Sequence, residues 1–287
     1  MAVIEDRVFG MAGTFPPRSI PTRASTSFDL LAITVEGAQV AYAQEGRLAL
    51  PPLLFLHGWG ASHKVWRHAF PAFSPRRRCI APDLAGFGLS EKPARDYSIE
   101  ALTEWVGKFL DTLGLPRVTL VGHSMGGTIA LLFALNHPER VERLAVVNPL
   151  VVGETAFTAR TRFCLAPGIR RALFTLSRWH PLRRWVTKDF SHVQRLDDDL
   201  AADLVRSTYR SAIDSMNSLR QIDLRSRLGT LTPPTLAVGT DHDRIVAPDQ
   251  YTLVPARKKI CIAETGHMPM VERPAEFNRI LDEFLRL

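Results

Sequence analysis

Short runs of apolar residues alternate along this chain with longer stretches in which apolar and polar positions repeat at helical spacing. Five of these mostly apolar runs lie at residues 53–56, 79–81, 117–121, 144–147 and 235–238. Their length and scarcity of polar positions predict buried strands. A run at 259–263 also favours a strand, and residues 31–36 and 39–44 favour a hairpin that turns at Gly37.

Amphipathic stretches between these runs predict helices. The clearest covers residues 99–113, where the apolar positions at helical spacing are Leu102, Trp105, Val106, Phe109, Leu110 and Leu113. Ser98 is placed to cap the first turn of this helix, and Gly114 is placed to end it. Further helices are predicted around 64–73, at 128–135 and at 274–287.

The alternation of strands and helices predicts an α/β fold with a mainly parallel central sheet and helices on both faces. We expect residues 29–149 and 231–287 to form this core domain. The alternation stops at residues 150–230, where only helical patterns occur, so we expect a helical cap inserted between two core strands. Residues 1–28 include a stretch rich in Pro, Ser and Thr, which predicts an N-terminal tail that is draped on the surface or disordered.

The composition is that of a globular protein with a large core. The chain has 287 residues, 46% of them hydrophobic, and no apolar stretch approaches the roughly 18 residues that span a bilayer. Glu5 and Asp6 precede any apolar run, which argues against a signal peptide. Cys79 and Cys261 lie in strand-like runs and are predicted to be reduced core residues. A reducing, cytoplasmic location is therefore expected.

Sequence patterns for metals and cofactors are missing. No cluster of His, Cys and carboxylate residues has metal-site spacing, and neither a Gly-rich dinucleotide motif nor a P-loop occurs. We therefore expect neither a metal ion nor a cofactor. The sequence does not indicate an oligomeric state.

A serine at the junction of a strand and a helix is the strongest chemical signal in the chain. The residues that follow the run at 117–121 are Gly122, His123, Ser124, Met125 and Gly126. Between a strand and a helix, this Gly-x-Ser-x-Gly pattern predicts a sharp, strained turn that exposes the Ser124 hydroxyl at the carboxyl end of the sheet. The glycines are needed because the strand and the helix approach closely.

A base and an orienting acid for this serine are predicted in later loops. His267 follows the last predicted strand, which brings it to the same edge of the sheet as Ser124. Asp241 and Asp243 both follow the run at 235–238. We favour Asp243 as the partner of His267, because the next residues return the chain toward the core. Asp241 is placed to cap the turn and stays open as the alternative acid.

Donors for a developing oxyanion are predicted after the run at 53–56. This run continues into His57, Gly58, Trp59 and Gly60. The two glycines let the loop turn so that an N–H group points inward, and the backbone N–H groups of Trp59 and Met125 are the natural donors. The alternative is an ordinary turn from a strand into a loop.

These segments resemble those of the α/β-hydrolase fold family, and they occur in the same order. The resemblance extends from the predicted hairpin to the C-terminus, apart from the cap, and it rests on residues 57–60, 81–90, 122–127, 243–246 and 266–269. It implies a triad of Ser124, Asp243 and His267. It also implies an oxyanion hole formed by Trp59 and Met125.

Two positions near the acid depart from the pattern of that family. The family usually has a glycine three residues before the acid, whereas Gly239 is four residues before Asp243. This shift is the reason that Asp241 stays open. Some relatives place the acid after the preceding strand, but this chain has Asn148 there, which cannot ionise.

The expected activity is hydrolysis of a carboxylic ester through an acyl-enzyme, because the predicted site contains a nucleophile, a base, an acid and oxyanion donors. Apolar residues in the cap favour a small hydrophobic ester as the substrate. Carbon–carbon bond hydrolysis, acyl transfer and perhydrolysis use the same triad and stay open. A binding protein without turnover is disfavoured, since a binder gains nothing from a strained serine turn.

Positive charge is concentrated in the predicted cap. Residues 160–188 contain no Asp or Glu, whereas their basic residues are Arg160, Arg162, Arg170, Arg171, Arg178, Arg183, Arg184 and Lys188. Three interpretations stay open: arginines that are solvated or pair with later aspartates, peripheral docking on an anionic membrane, and attraction of anionic substrates or nucleic acid. No nucleic-acid-binding motif accompanies the charge, so we do not expect nucleic acid as a partner.

Overall fold

The computed structural model describes residues 18–19, 28–193, 196–203 and 205–286. Most of the predicted N-terminal tail therefore lies outside the described residues. Its described part includes Arg18–Ser19, which form a short strand, β1, whose residues pair with Leu31 and Ala32. Pairing at a sheet edge uses backbone groups rather than apolar side chains, so the composition of the tail did not predict this strand.

The described strands form one sheet. They are β1, β2 (Asp29–Val35), β3 (Ala38–Glu45), β4 (Pro52–Leu56), β5 (Arg78–Pro82), β6 (Val118–His123), β7 (Val141–Val147), β8 (Thr235–Thr240) and β9 (Lys258–Ile262). Their order across the sheet is β1-β2-β3-β5-β4-β6-β7-β8-β9. β1, β2, β3 and β5 pair antiparallel in turn, and all pairs from β5 to β9 are parallel. The predicted mainly parallel sheet is confirmed.

The described α-helices are α1 (Phe70–Phe73), α2 (Ile99–Thr112), α3 (Met125–Asn136), α4 (Gly153–Ala156), α5 (Ala159–Cys164), α6 (Pro167–Leu176), α7 (His180–Thr187), α8 (Asp198–Asp203), α9 (Tyr209–Gln221), α10 (Pro269–Glu272) and α11 (Pro274–Arg286). Short 3₁₀ helices lie at His63–Trp66, Pro138–Arg140, Leu228–Thr230 and Gln250–Leu253. The prediction of a single helix around residues 64–73 is wrong in detail, because this segment forms a 3₁₀ helix followed by α1. Pro71 lacks the N–H group that would continue one helical ladder through it.

Helix α2 begins and ends where the sequence predicts. The Ser98 hydroxyl accepts a hydrogen bond from the Ala101 N–H at 3.2 Å, which caps the first turn. Gly114 has a φ of 66°, the left-handed conformation that ends many helices. The apolar face of the helix, from Ile99 to Leu110, is buried against the sheet.

The core consists of two apolar layers, one on each face of the sheet. Within β4, Leu54 and Leu56 belong to the layer covered by α2 and α3, whereas Leu53 and Phe55 belong to the layer covered by α1 and α11. Successive side chains of a strand point to opposite faces, so burial of all four requires helices on both sides. The predicted placement of helices on both faces is confirmed.

The two cysteines predicted to be core residues differ in burial. Cys79 is buried in β5, but Cys261 is exposed in β9, so the prediction for Cys261 was wrong. β9 is the last strand of the described sheet and has a neighbour on one side only. An apolar sequence does not distinguish such an edge strand from a central one, which explains the error.

Helices α4 to α9 lie between β7 and β8 and form the cap. The two ends of this insertion are hydrogen-bonded to each other: the Gly153 N–H donates to the Ile222 carbonyl at 2.8 Å, and the Leu224 N–H donates to the Val151 carbonyl at 3.0 Å. The cap is therefore closed at its base, next to the carboxyl end of β7. No helix in the described part of the chain is long and apolar enough to cross a membrane.

Candidate active site

Ser124 lies in the tight turn between β6 and α3. Its φ is 52° and its ψ is −120°, a strained conformation for a residue with a side chain. A Cβ atom on Gly122 would lie 2.2 Å from the Gly126 carbonyl oxygen, and one on Gly126 would lie 2.4 Å from the Leu56 carbonyl oxygen. Both glycines are therefore required by close backbone contacts. The turn places Ser124 in the wall of a cavity between the core and the cap.

His267 and Asp243 form a buried pair. The His267 Nδ1 atom lies 2.6 Å from Asp243 Oδ2, and their side chains are 2% and 1% exposed. The other carboxylate oxygen of Asp243 accepts the N–H groups of Ile245 and Val246 at 2.8 and 2.9 Å. Both oxygens of Asp243 are therefore engaged, and the contact at Oδ2 orients the His267 ring through Nδ1. This orientation leaves the Nε2 atom of His267 as the candidate base.

Asp241 has a different environment from Asp243. Its side chain is 40% exposed, and the Nε2 atom of His242 lies 3.9 Å from its Oδ2 atom. One of its oxygens accepts the N–H group of Thr265 at 3.2 Å. This contact stabilises the loop that leads to His267, but the structure brings only Asp243 against the imidazole.

The loop after β4 lies against Ser124. A Cβ atom on Gly58 would lie 3.1 Å from the Ser124 Cβ, and Gly60 has a φ of 67°. Among the described residues, no backbone acceptor takes the N–H of Trp59 or of Met125. Two free N–H groups beside a nucleophile are the arrangement that an oxyanion hole requires.

The tautomer of His57 follows from its two hydrogen bonds. Its Nε2 atom accepts the Leu84 N–H at 2.9 Å, so its Nδ1 atom carries the proton and donates to the Gly58 carbonyl at 2.8 Å. Burial lowers the pKa of His57, which keeps the ring neutral. This ring therefore fixes the Gly58–Trp59 peptide group, whose N–H is the candidate oxyanion donor.

His123 supports the backbone of the candidate base. Its Nε2–H donates to the His267 carbonyl at 2.8 Å, and the two rings lie 4.6 Å apart between centroids. Burial, with a smaller effect from His267, holds the pKa of His123 well below its usual value, so the ring is neutral. The amide of Asn148 donates to the same carbonyl at 3.0 Å. Asn148 thus contacts the loop of His267 although it cannot ionise.

Glu272 joins the cap to the loop of His267, and the sequence did not reveal it. Its carboxylate is buried and accepts four backbone N–H groups. Two belong to Gly266 and Met268, at 3.1 and 3.2 Å, and two belong to residues 192–193 of the cap, at 2.7 and 3.0 Å. A carboxylate whose partners are backbone groups of distant segments leaves no sequence pattern. The same carboxylate therefore holds the backbone on both sides of His267 and one segment of the cap.

The Trp59 side chain makes a second link between the site and the cap. Its indole Nε1–H donates to the Ala212 carbonyl in α9 at 2.9 Å. The loop that carries a candidate oxyanion donor is thus tied to one cap helix, while Glu272 ties the base to another part of the cap.

The cavity at Ser124 is mostly apolar. Its volume is about 150 Å³. Ser124 and His267 line it together with Trp59 and Met125, and the cap residues that line it include Leu165, Leu173, Phe174 and Trp185. Such a cavity suits an apolar group attached to a polar reacting centre. Among the described residues, no cluster of His, Cys and carboxylates has the geometry of a metal site.

Comparison with known proteins identifies the family. A family model for the alpha/beta hydrolase fold matches residues 51–274, which is more than half of the chain. The chain therefore belongs to the α/β hydrolase fold family, as the sequence resemblance implied.

Similar proteins in this family carry different activities in their names. The chain is 27% identical to epoxide hydrolase 3 of Xenopus tropicalis, with 94% of this chain and 81% of that protein covered. It is 28% identical to the pimeloyl-[acyl-carrier protein] methyl ester esterase of Aeromonas hydrophila, with 82% and 95% covered. A crystal structure described as a bacterial membrane phospholipase A superposes with a TM-score of 0.79 at 29% identity, covering 91% and 86%.

Proposed function

We propose that this protein is a serine hydrolase that cleaves carboxylic esters with a hydrophobic acyl group. The observation that supports this most strongly is the buried His267–Asp243 pair at 2.6 Å, at the edge of the same apolar cavity that contains Ser124. Hydrolysis agrees with the family of the chain. The ester as substrate rests on the chemistry of the site.

In the proposed mechanism, Ser124 attacks the ester carbonyl while His267 Nε2 takes the hydroxyl proton. Asp243 stabilises the imidazolium that forms. The N–H groups of Trp59 and Met125 hold the oxyanion of the tetrahedral intermediate, and each such donor contributes about 3–4 kcal/mol to the transition state. His267 then protonates the leaving alcohol. Water, activated by the same base, releases the acid from the acyl-enzyme.

The nucleophile separates this proposal from epoxide hydrolysis, although one relative is named for that reaction. Epoxide-opening relatives attack with an aspartate, whereas the corresponding turn here carries Ser124. Two other relatives are named for ester cleavage, one on a methyl ester and one on phospholipids. They support an acyl ester as the substrate of this chain.

The length of the acyl group is the first property to measure. We expect turnover of p-nitrophenyl esters, with an optimum at medium-chain acyl groups, because an apolar cavity of about 150 Å³ accommodates several methylene groups. The assay runs from acetate to palmitate and compares kcat/KM across the series. No turnover by a protein whose Ser124 still reacts with a fluorophosphonate would contradict ester hydrolysis and redirect the search to carbon–carbon hydrolysis or acyl transfer.

Replacing Glu272 with glutamine is expected to lower kcat about tenfold or more, because small displacements of a catalytic group are costly. The glutamine NH₂ group would face N–H donors, leaving buried groups unpaired and lowering the free energy of unfolding by about 1–3 kcal/mol. Steady-state kinetics well below the unfolding temperature separate the two effects. Glu276→Gln, on the exposed surface of α11, is the matched control. Equal kcat values for the two variants would show that Glu272 does not position the base.

A further inference from the structure

The solvent-facing side of α5 to α7 is both basic and aromatic. We call it the outer cap surface, and its residues are Arg162, Phe163, Arg171, Leu176, Arg178, Trp179, Arg184, Trp185 and Lys188. Its four large apolar side chains are between 45% and 66% exposed. They make up half of the large apolar side chains that are exposed in the described structure. Isolated exposed apolar residues are common, but four of them within the consecutive helices α5 to α7 and the turn between α6 and α7 indicate a contact site.

The helices of the cap have two distinct faces. In α6 and the turn after it, Arg170, Leu173, Phe174 and Ser177 line the cavity. The opposite face, at positions 171, 175, 176 and 179, is exposed. This spacing of three and four residues is that of a helix with one side toward the protein and one toward solvent. The exposed side is where a globular helix normally carries small or charged residues, yet here it includes Leu176 and Trp179.

The basic residues of this surface are not neutralised by the later aspartates of the cap. Asp197 and Asp199 instead pair with Arg67 and Lys64 of the core, at 2.5 and 2.6 Å. Asp198 contacts His180, at 3.2 Å. Within the described residues, no carboxylate forms an ion pair with the five basic residues of the outer cap surface. No carboxylate in the described part of the chain therefore neutralises their charge.

We propose that the outer cap surface docks on an anionic lipid bilayer. Phe163, Leu176, Trp179 and Trp185 would enter the interfacial layer, where amphipathic aromatic rings are favoured. The arginines and the lysine would contact lipid phosphates, since basic residues are attracted to anionic leaflets. A lipid surface fits better than nucleic acid, because it has partners for both the apolar and the basic side chains.

Trp185 connects this surface to the cavity. Its side chain lines the cavity above Ser124 and is also 45% exposed on the outer cap surface. The Lys188 ammonium lies 5.4 Å from the centre of its ring, so a basic group is held at the same place. A docked bilayer would thus lie beside the wall of the cavity. Acyl substrates could enter from the lipid without crossing bulk water.

Sedimentation with vesicles tests the docking. The full chain is incubated with sucrose-loaded vesicles of phosphatidylcholine alone, or of phosphatidylcholine and phosphatidylglycerol in equal amounts. We expect the protein in the pellet with the mixed vesicles only, and its release on addition of salt, because ions screen exposed charges. Equal recovery with both vesicle types, or none with either, overturns the proposal. So does tight retention on a single-stranded oligonucleotide without vesicle binding.

Matched variants locate the contact on the cap. The double variant Phe163→Ser, Trp179→Ser is expected to lower vesicle partitioning at least about tenfold. The control is the double variant Leu48→Ser, Leu253→Ser, which changes two exposed residues of the core domain and should leave partitioning unchanged. Arg178→Glu with Arg184→Glu is compared with Arg117→Glu and Arg257→Glu, exposed core positions that give the same net charge. If a cap double variant and its core-domain control lost equal vesicle binding, the contact would lie elsewhere on the protein.

The entry of acyl substrates from the lipid rests on the proposed hydrolysis, whereas docking does not. An inactive variant tests the two separately. Ser124→Ala should partition onto vesicles like the unchanged protein, since the outer cap surface does not include it. Docking without esterase activity would leave the surface assignment intact and reject the function. Activity without docking would reject the surface assignment alone. Thermal unfolding of each variant confirms that it is folded in these assays.

Discussion

Ser124→Ala is expected to abolish ester hydrolysis while the protein stays folded. The loss in kcat should be roughly 10⁴- to 10⁶-fold, since removal of the nucleophile leaves only binding and oxyanion stabilisation. Ser124 is only 6% exposed, but its hydroxyl has no hydrogen-bond partner among the described residues. Alanine removes only that oxygen atom from the strained turn, so the free energy of unfolding should change little.

The measurement is kcat for the ester that the unchanged protein hydrolyses fastest, together with labelling by a fluorophosphonate. The unchanged protein should be labelled and Ser124→Ala should not. Thermal unfolding provides the control for folding. Retention of more than a few per cent of the activity, in protein free of contaminating esterase, would assign the nucleophile to another residue.

Asp243→Asn is expected to lower kcat by about 10⁴-fold, by analogy with the loss of the acid in other triads. In this variant, the amide oxygen takes the place of Oδ1 and can still accept the N–H groups of Ile245 and Val246. The new NH₂ group would then face His267 Nδ1 and favour the tautomer with the proton on Nε2. In that tautomer, His267 cannot take the proton of Ser124.

Asp241→Asn is the matched control, because the two aspartates share one loop. Its amide oxygen can still accept the Thr265 N–H, and the residue is exposed, so we expect kcat near that of the unchanged protein. The comparison uses kcat at a single pH with both variants confirmed as folded. A large loss in Asp241→Asn, with Asp243→Asn nearly unaffected, would reverse the assignment of the acid.

Much of the fold could be predicted because its signals are local. The run before Ser124 and the apolar helix after it are adjacent in the sequence, so one short window contains the strand, the turn and the helix. Helix α2 was predicted to within a residue, since Ser98 and Gly114 lie at its two ends. The order of strands and helices was enough to predict a mainly parallel sheet.

The features that could not be predicted depend on contacts between distant segments. The sequence favoured Asp243 but left Asp241 open, because the choice depends on which carboxylate reaches a histidine in another loop. Glu272 binds backbone N–H groups, so no particular side chain has to accompany it in the sequence. The exposure of Cys261 depends on β9 lying at the end of the sheet, which the apolar pattern of the strand does not encode.

The hydrogen bonds between residues 151–153 and 222–224 join the two ends of the cap, so the cap can be replaced as a unit. Its entry and exit are held side by side, so a segment of another length can be joined there without altering the distance between β7 and β8. The rigid turn at Ser124 tolerates almost no substitution in its glycines. Divergence toward new substrates can therefore proceed by replacement of the whole cap insertion, provided that the new segment supplies hydrogen-bond partners for Glu272 and Trp59.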